Sequence, residues 1–200
     1  EGEEEFFTLP ELVKEFSLDR VSKSPAVFSL EKLNWMNSHY LKKTSVEKVT
    51  ELALPYLREA GYIGESLSAT EKDWLKQMVA SVQEKMDYVG QVAAHAAVYF
   101  GDTKEAENQE AIEIIKSSVP VIKELHARID SISPWEEDSI KKELKSIGKD
   151  LKVKGKGLFM PARVTVSGQT WGPDLPTLIK LLGKERVKKR ITHLLQCYAP

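Results

Sequence analysis

The sequence predicts an all-α fold, and two patterns support it. Four Ser or Thr residues are each followed by Glu three positions later, the capping box that starts a helix. The pairs are Thr8 with Glu11, Thr44 with Glu47, Ser68 with Glu71, and Ser133 with Glu136. Apolar residues also recur every three or four positions over most of the chain, which is the spacing of helices with one buried face. We therefore expect helices through most of the 200 residues.

In the first half of the chain, four apolar stripes with helical spacing follow one another. They cover Leu30–Leu41, Val46–Leu57, Leu75–Met86 and Val89–Phe100. Glycines are expected to end the second and fourth stripes, because glycine readily adopts the left-handed conformation that closes a helix; they are Gly61 and Gly101. Pro55 lies inside the second stripe and removes a backbone hydrogen bond, so we expect a kink or an early end there.

The second half begins with a long predicted helix and then changes character. Residues 104–132 carry one continuous apolar stripe, which Pro120 is expected to bend. Residues 149–157 are basic and contain glycines, and they are interpreted as a mobile loop. The β-branched run at residues 164–166 favours either a short strand or a helical turn.

Two more helices are expected toward the end of the sequence. Pro173 and Asp174 should open the first, which Gly183 ends. The second should run through the apolar positions of Val187–Leu195. An all-α chain therefore remains the interpretation up to its last residues.

The net charge of −1 conceals a strong asymmetry. Residues 141–200 carry fourteen Lys or Arg and four Asp or Glu, a balance of +10, whereas the rest of the chain has a balance of −11. Such a division is typical of a protein whose basic part binds a polyanion. The alternative is that the two oppositely charged parts attract each other, and charge alone leaves both open.

Several classes of function lack their usual motifs. No apolar run approaches the roughly 20 residues needed to span a bilayer, so a cytoplasmic protein is expected. The single cysteine, Cys197, excludes an internal disulfide and has no evident activating partner. The four histidines are far apart and lack a metal-ligand spacing, and no glycine-rich phosphate loop occurs. No catalytic residue and no metal site are therefore predicted. The chain begins at Glu1, which suggests a processed product or a piece of a longer protein.

Residues 20–24 echo the KMSKS loop with which some synthetases hold ATP. The sequence there reads RVSKS, with two substitutions in five residues. Such a loop works beside a nucleotide-binding sheet, which an all-α chain lacks. We interpret this segment as structural or RNA-facing, not catalytic.

Two long segments carry a resemblance to a known family. They are Phe16–Leu41, which includes KLNWMNSHYL, and Phe159–Ile191, which includes PARVTVSGQTWGPDLP and LGKERVKKR. Both resemble the C-terminal half of bacterial glutamyl-tRNA synthetases, which are class I aminoacyl-tRNA synthetases, in this order and spacing. The helices between them fit in length, so the resemblance covers essentially the whole chain.

The resemblance implies a division of the chain into three parts. Residues 1–43 would be the end of a helical region that contacts the tRNA stem. Residues 44–101 and 102–200 would be two helical anticodon-binding subdomains, together a bundle or cage. The catalytic domain, with its ATP and Mg²⁺, would lie upstream of Glu1, so no cofactor is expected in this chain. A monomer that binds tRNA(Glu) is implied, with tRNA(Gln) as a second candidate.

The resemblance also suggests which residues meet the anticodon. Arg163 matches the family arginine that meets it, and guanidinium can make two parallel hydrogen bonds to a base or phosphate. Gly172 and Pro173 permit close backbone approach at a helix N-terminus. Leu175 matches a position near an anticodon base. Lys85 falls where many relatives carry an arginine that senses the third base, which puts discrimination between glutamate and glutamine anticodons in doubt.

Other residues are candidates on their chemistry and position. The RNA-binding set is completed by Trp171, Lys154, Lys156 and Arg186, and the stem-contact set consists of Arg20, Lys23, Asn34 and Asn37. Each also has a structural reading. Arg163 could pair with a carboxylate, Trp171 could be a core or lid residue, and the lysines could belong to a solvated loop. Trp35 and Tyr40 are expected in the core.

An adaptor for proteins is the competing hypothesis. Its basic C-terminal half would bind an acidic partner, and no nucleic acid would be involved. The two hypotheses predict different surfaces: an RNA-binding chain should bring Arg163, Gly172, Leu175 and the helix around Arg186–Arg190 onto one concave basic face. Scattered basic residues would favour the adaptor.

Overall fold

A computed structural model describes residues 6–21, 24–25 and 27–198 of the chain. These residues form eleven α-helices and no strand, so the predicted all-α class is confirmed. In chain order the helices are α1 (Leu9–Glu15), α2 (Leu30–Lys43), α3 (Val46–Glu59), α4 (Ala69–Gln83), α5 (Val92–Ala96), α6 (Gln109–Ser117), α7 (Val119–Arg128), α8 (Glu137–Asp150), α9 (Lys156–Ser167), α10 (Leu175–Leu182) and α11 (Lys184–Tyr198). None of the described helices is long and apolar enough to cross a membrane.

Two of the four predicted capping boxes form as expected. Thr8 and Ser68 cap α1 and α4, and in each the glutamate three residues later accepts from the backbone N–H of the cap. The third prediction is wrong by one residue. Thr44 ends α2, where its N–H donates to the Tyr40 carbonyl over 3.0 Å, so Ser45 caps α3 instead.

The fourth predicted capping box is wrong. The helix expected from Ser133 begins only at Glu137, with Glu136 as its N-cap and no capping side chain. The reason is a contact with α10: the Trp135 indole N–H donates to the Lys180 carbonyl over 3.0 Å. This hydrogen bond holds the segment before α8 against another helix and outside the helical path.

The long helix expected over residues 104–132 is divided in two. Ser118 separates α6 from α7 with φ −123° and ψ 22°, which are not helical values. Pro120 lies in the first turn of α7, where its missing N–H would have no intrahelical partner. Pro55, in contrast, lies inside α3, and the helix does not end there but continues to Glu59.

The basic segment at residues 149–157 does not form the one continuous loop expected from the sequence. Helix α8 continues to Asp150 and α9 begins at Lys156, so only a short turn separates them. Leu151 and Val153 in this turn are half-buried against the core. The run at residues 164–166 is helical, because α9 lies at the centre of the second half and packs on α6, α7, α8, α10 and α11. Tertiary burial there outweighs β propensity.

The helices pack in two groups that share one core. Helices α3, α4 and α5 contact each other, α6 to α11 surround α9, and α4 contacts α10. The C-terminal carbonyls of α10 join the groups, because the Trp74 indole of α4 donates to the Leu181 carbonyl over 2.8 Å. The Gln83 side-chain amide, at the other end of α4, donates to the carbonyls of Leu41 and Thr44, both over 2.8 Å. These bonds tie the end of α2 to the first group.

The N-terminal helices pack loosely on the rest. Helix α1 has no buried residue, and Leu41 is the one buried residue of α2. Trp35 and Tyr40 are 49% and 42% exposed, so the expectation that they lie in the core is wrong. They instead form an aromatic cluster around Phe6, whose ring stacks on His39 with centroids 3.6 Å apart.

Part of the opposite charge in the two halves of the chain forms ion pairs within the protein. The basic residues of α11 reach back to acidic residues before α8: Lys189 lies 2.8 Å and Arg186 3.4 Å from Asp102, and Lys188 lies 2.7 Å from Asp130. Attraction between the two halves, one of the alternatives open from the sequence, therefore accounts for this helix. It does not account for the lysines of α8.

Candidate nucleic-acid interface

The site predicted from the sequence centres on the loop between α9 and α10, residues 168–174. Helix α9 ends at Gly168, which adopts φ +78°. A Cβ there would lie 2.1 Å from the Glu105 carbonyl oxygen, because the segment before α6 crosses the helix end. The Glu107 N–H donates to the Gly168 carbonyl over 2.8 Å. Only glycine allows this crossing, which sets the direction in which the loop leaves the helix.

Two cations converge on this loop from different helices. The Arg163 Nη1 of α9 donates to the Pro173 carbonyl over 2.8 Å. Lys85 lies two residues beyond the end of α4, and its ammonium group donates to the Gly172 carbonyl. Gly172 has φ +140°, a value that L side chains rarely adopt, and a Cβ on it would lie 3.3 Å from Arg163 Nη1. The structure thus brings the predicted site residue Lys85 to three others, Arg163, Gly172 and Pro173, that lie 78 to 88 positions later in the sequence.

Burial lowers the pKa of both cations, and the charge of Arg163 adds to the effect on Lys85. Desolvation lowers the pKa of Arg163, and the carboxylate of Asp174 opposes that shift. Desolvation also lowers the pKa of Lys85, with a further contribution from the charge of Arg163. His95 lies near the same cluster, and burial and Lys85 lower its pKa. Asp174 is the carboxylate that opposes the pKa shift of both cations, and Glu137 and Asp138 line the same pocket as Arg163.

Trp171 stands at the open side of the loop. Its side chain is 50% exposed, and its indole N–H donates to the Glu107 carboxylate over 3.0 Å. One edge of the ring is therefore fixed to the segment before α6, and much of its surface remains open to solvent. An indole held in this way can stack against an unpaired base.

Leu175 lies below the loop and not on its surface. It is 4% exposed and belongs to the core. It nevertheless lines a pocket of about 290 Å³ together with Arg163, Asp174, Phe159 and residues of α8. A ligand would meet Leu175 through this pocket, beside the guanidinium group.

The other predicted RNA-binding residues occupy two different places. Lys154 and Lys156 are exposed at the α8–α9 turn. The Arg186 side chain bonds to other parts of the protein. Its Nη1 donates to the Tyr99 carbonyl over 3.0 Å, and its Nε lies 3.4 Å from Asp102. It lines a pocket with Tyr62, Trp74 and Phe100, and it makes no described contact with Arg163 or Lys85.

The predicted stem-contact residues lie at the N-terminal helices. Arg20 is exposed and donates to the Glu15 carbonyl. Asn34 and Asn37 are half-exposed on α2. Lys23 lies outside the described residues, as does part of the segment 20–24.

Sequence reasoning selected Lys154 and Lys156 but did not include the lysines of α8 among the site residues. Seven lysines occur between residues 141 and 156. Within the described chain none of them forms an ion pair, whereas the acidic residues Glu143 and Asp150 are both held by Arg128, at 3.2 and 2.8 Å. Their density in the sequence was a usable signal, but which lysines lack partners depends on where Arg128 lies in the fold.

One group of described side chains could hold a metal ion. Glu105, His193 and Cys197 present ligand atoms that all lie within 4.8 Å of one another. The histidine and cysteine are four residues apart on α11, a spacing that the sequence reasoning overlooked. His193 Nε2 is 2.7 Å from Glu105, and the Tyr198 hydroxyl donates to the same carboxylate over 2.8 Å.

A helical scaffold that presents cations, backbone carbonyls and a half-exposed indole around one open loop has the features of an RNA-recognition domain. A family model described as "Anticodon binding domain" matches residues 48–195. The chain belongs to this family, and it is an anticodon-binding domain of the glutamate–tRNA ligase type. The resemblance found in the sequence is thereby confirmed.

The relatives that this chain matches in sequence are glutamate–tRNA ligases. The chain is 42% identical to the glutamate–tRNA ligase of Desulforamulus reducens, with 95% of this chain covered, and 39% identical to that of Bacillus subtilis, with 96% covered. It spans about 40% of the length of both relatives. A crystal structure of a glutamate tRNA ligase from Elizabethkingia meningosepticum superposes with a TM-score of 0.82 at 24% identity. That match covers 96% of this chain and 37% of the other, and at this identity it shows the fold alone.

Proposed function

We propose that this chain binds tRNA(Glu) through its anticodon loop and provides the anticodon selectivity of a glutamate–tRNA ligase in translation. The chemistry of the ligase, with ATP and Mg²⁺, would be carried out by the part of such enzymes that this chain does not cover. The chain itself would supply affinity and selectivity, and no catalytic group. The observation that carries the proposal is the convergence of Lys85 and Arg163 on the carbonyls of Gly172 and Pro173.

This geometry suits an unpaired anticodon. Bases in a loop can be splayed apart, stacked on aromatic rings and hydrogen-bonded at their edges. Arg163 has five N–H donors, and the described hydrogen bond to Pro173 uses one of them. The remaining donors can reach a base or a phosphate, while the backbone bond keeps the guanidinium group in one orientation.

The N-terminal helices support the proposal that the chain works within a longer ligase. Leu9, Val13, Phe16, Leu18 and Phe28 are all well exposed. Apolar patches of this kind usually mark a surface that another protein part covers.

The proposal predicts selective and salt-sensitive RNA binding. We expect the chain to bind unmodified tRNA(Glu) more tightly than an unrelated tRNA, because base contacts add to phosphate contacts. Its affinity should fall steeply with salt, with a log–log slope of roughly 0.9 per phosphate contacted. Titration of the three tRNAs, Glu, Gln and unrelated, between low and moderate salt would measure both quantities. Equal and weak binding to all three would contradict the proposal and favour a protein adaptor.

A second prediction concerns Lys85. A lysine offers a point charge, whereas arginine can make two parallel hydrogen bonds to one base. We expect Lys85→Arg to raise the preference for tRNA(Glu) over tRNA(Gln) by about tenfold, since a bidentate contact discriminates bases by roughly 1–3 kcal/mol. Competition binding of the two tRNAs would measure the change. Lys72→Arg, an exposed lysine of α4, is the matched control and should change nothing. If both variants gave the same preference, Lys85 would not read a base.

A further inference from the structure

A second pocket adjoins the predicted anticodon site. It has a volume of about 470 Å³ and lies between the last turn of α8 and the start of α9. Its floor is apolar and formed by Val153, Leu158 and Phe159, and lysines stand around it. The volume lies within the roughly 300–1,000 Å³ that is typical of small-molecule sites. An apolar floor with a cationic rim suits a flat ligand that carries negative charge.

Close backbone packing builds the floor of this pocket. The chain turns back over Gly148, where a Cβ would lie 2.7 Å from a Leu158 methyl group and 2.8 Å from the Val153 carbonyl oxygen. The Val153 N–H donates to the Gly148 carbonyl over 2.9 Å. The turn is thus held firmly against α8, so the pocket is formed before any ligand binds.

The backbone of Lys152 is a separate indication of function. Its φ is +54°, and among the described residues other than glycine it alone has a positive φ. Most side chains disfavour the left-handed conformation, which glycine or asparagine would adopt more readily. A lysine in that conformation places an exposed ammonium group at the rim of the pocket. Strain of this kind points toward a functional role.

The positive charge around the pocket has no internal counterpart. Lys145, Lys149, Lys152 and Lys154 form no ion pair within the described part of the chain, in contrast to the basic residues of α11. Two acidic side chains of α8, Glu143 and Asp150, are engaged by Arg128, and a third, Asp138, lines the groove along α8 with Lys145 and Lys149 but forms no described ion pair with them. The rim therefore attracts an external anion.

The pocket lies beside the predicted anticodon site. Phe159 lines both this pocket and the one that contains Arg163 and Leu175. Lys145 and Lys149 also line a neighbouring groove along α8, which reaches Lys141 at the edge of the Arg163 pocket. An RNA strand that leaves the anticodon site along this surface would pass over the pocket.

We propose that this pocket binds one unstacked nucleotide of the RNA loop next to the anticodon triplet. Its base would lie on Val153, Leu158 and Phe159, and its phosphates would contact Lys149, Lys152 and Lys154. The proposal rests on the proposed function, since it takes the same RNA as the ligand. Stacking of a base on an aromatic side chain such as Phe159 strengthens binding without base selectivity. The pocket thus adds affinity and fixes the path of the strand, while selectivity stays with Arg163.

The test uses synthetic anticodon stem–loop hairpins of tRNA(Glu) with one 2-aminopurine at each loop position in turn. The fluorescence of this base analogue changes when its stacking changes. We expect binding of the chain to change the fluorescence at one position outside the triplet. That response should be lost in the variant Lys149→Gln/Lys152→Asn/Lys154→Gln, in which asparagine tolerates the left-handed backbone at position 152. The salt slope of hairpin binding should also decrease by about 1 for each lysine that contacts a phosphate.

The control variant carries the same loss of charge elsewhere. Lys72, Lys116 and Lys123 are exposed on α4, α6 and α7, form no described ion pair and do not line the pocket. Their replacement by glutamine should leave the fluorescence response in place. If the chain prefers its cognate hairpin but only triplet positions respond, or if both triple variants behave alike, the pocket proposal is wrong and the proposed function stands. If the chain has no preference for the hairpin, the proposed function itself fails.

Discussion

Replacement of Arg190 by alanine is expected to lower the free energy of unfolding by about 3–5 kcal/mol, the range for breaking a buried charged contact. Arg190 is fully buried, with 0% exposure, in the middle of α11. Its Nη1 donates to the carbonyls of Val98 and Val166 over 2.8 and 2.7 Å, and its Nη2 to those of Phe100 and Gly101 over 3.2 and 2.7 Å. Alanine would leave four carbonyl groups without donors and would open a cavity.

The hydrogen bonds of Arg190 must offset the cost of burying its positive charge. Burial lowers its pKa from the usual 12.5 to about 10, so the guanidinium remains charged at neutral pH in a site without a contacting carboxylate. Four carbonyl oxygens from two separate segments, residues 98–101 and the end of α9, take the place of a counter-ion. Hydrogen bonds to charged groups contribute roughly 1.5–3 kcal/mol each, and together they hold α9 and α11 to the chain that follows α5.

Urea unfolding followed by tryptophan fluorescence would measure the loss. Arg190→Met keeps most of the volume and should still be strongly destabilising, because the carbonyls stay unpaired. The control is Lys189→Ala, one residue earlier, which removes an exposed pair with Asp102 and should cost less than about 1 kcal/mol. If Arg190→Met proved as stable as the parent chain, the carbonyl contacts would not be the reason for the arginine.

The second large effect is expected for Arg163→Lys. This variant keeps a positive charge but loses the planar fork that donates to the Pro173 carbonyl and faces the pocket beside Asp174. We expect the preference for tRNA(Glu) over an unrelated tRNA to fall by about 10- to 100-fold, the equivalent of roughly 1–3 kcal/mol for one bidentate contact. Affinity for the unrelated tRNA should change little, since phosphate attraction is retained.

Arg58 is the matched control for this experiment. Like Arg163 it is half-buried and donates to a backbone carbonyl, that of Glu65 over 3.1 Å, but it lies at the end of α3. Arg58→Lys should leave tRNA preference unchanged. Equal losses in the two variants would mean that Arg163 acts on stability and not on recognition, which thermal unfolding of both proteins would reveal.

Helix starts were predicted correctly where the signal depends only on neighbouring residues. The capping boxes at Thr8 and Ser68 need only neighbouring residues, and both form. The break at Ser118 and the late start of α8 were missed, because they depend on contacts such as that between Trp135 and Lys180, 45 residues apart. A continuous apolar stripe does not report where a helix must turn to pack against α9.

The candidate site divides in the same way. The motif from Phe159 to Ile191 identified Arg163, Gly172 and Pro173, which do lie together. The contact of Lys85 with Gly172 spans 87 residues and has no local signature. The lysines of α8 and the basic residues of α11 look alike in the sequence, and only the positions of Asp102, Asp130 and Arg128 distinguish the exposed set from the paired set.

The difference between the paired cations of α11 and the lysines of α8, which form no described ion pair, should affect the rate at which an RNA associates with the protein. With a net charge of −1 the chain as a whole exerts almost no attraction on a polyanion. Asp102 and Asp130 pair with three cations of α11, whereas the lysines of α8 have no ion-pair partner among the described residues. The electrostatic field is therefore directional, and it extends beyond the surface by about 8 Å at physiological ionic strength. We expect encounters with an RNA to begin on the α8 side and to be disfavoured at the acidic remainder of the chain. The field would orient the RNA before the two molecules touch. The rate constant of association would then depend on salt concentration more steeply than the net charge suggests.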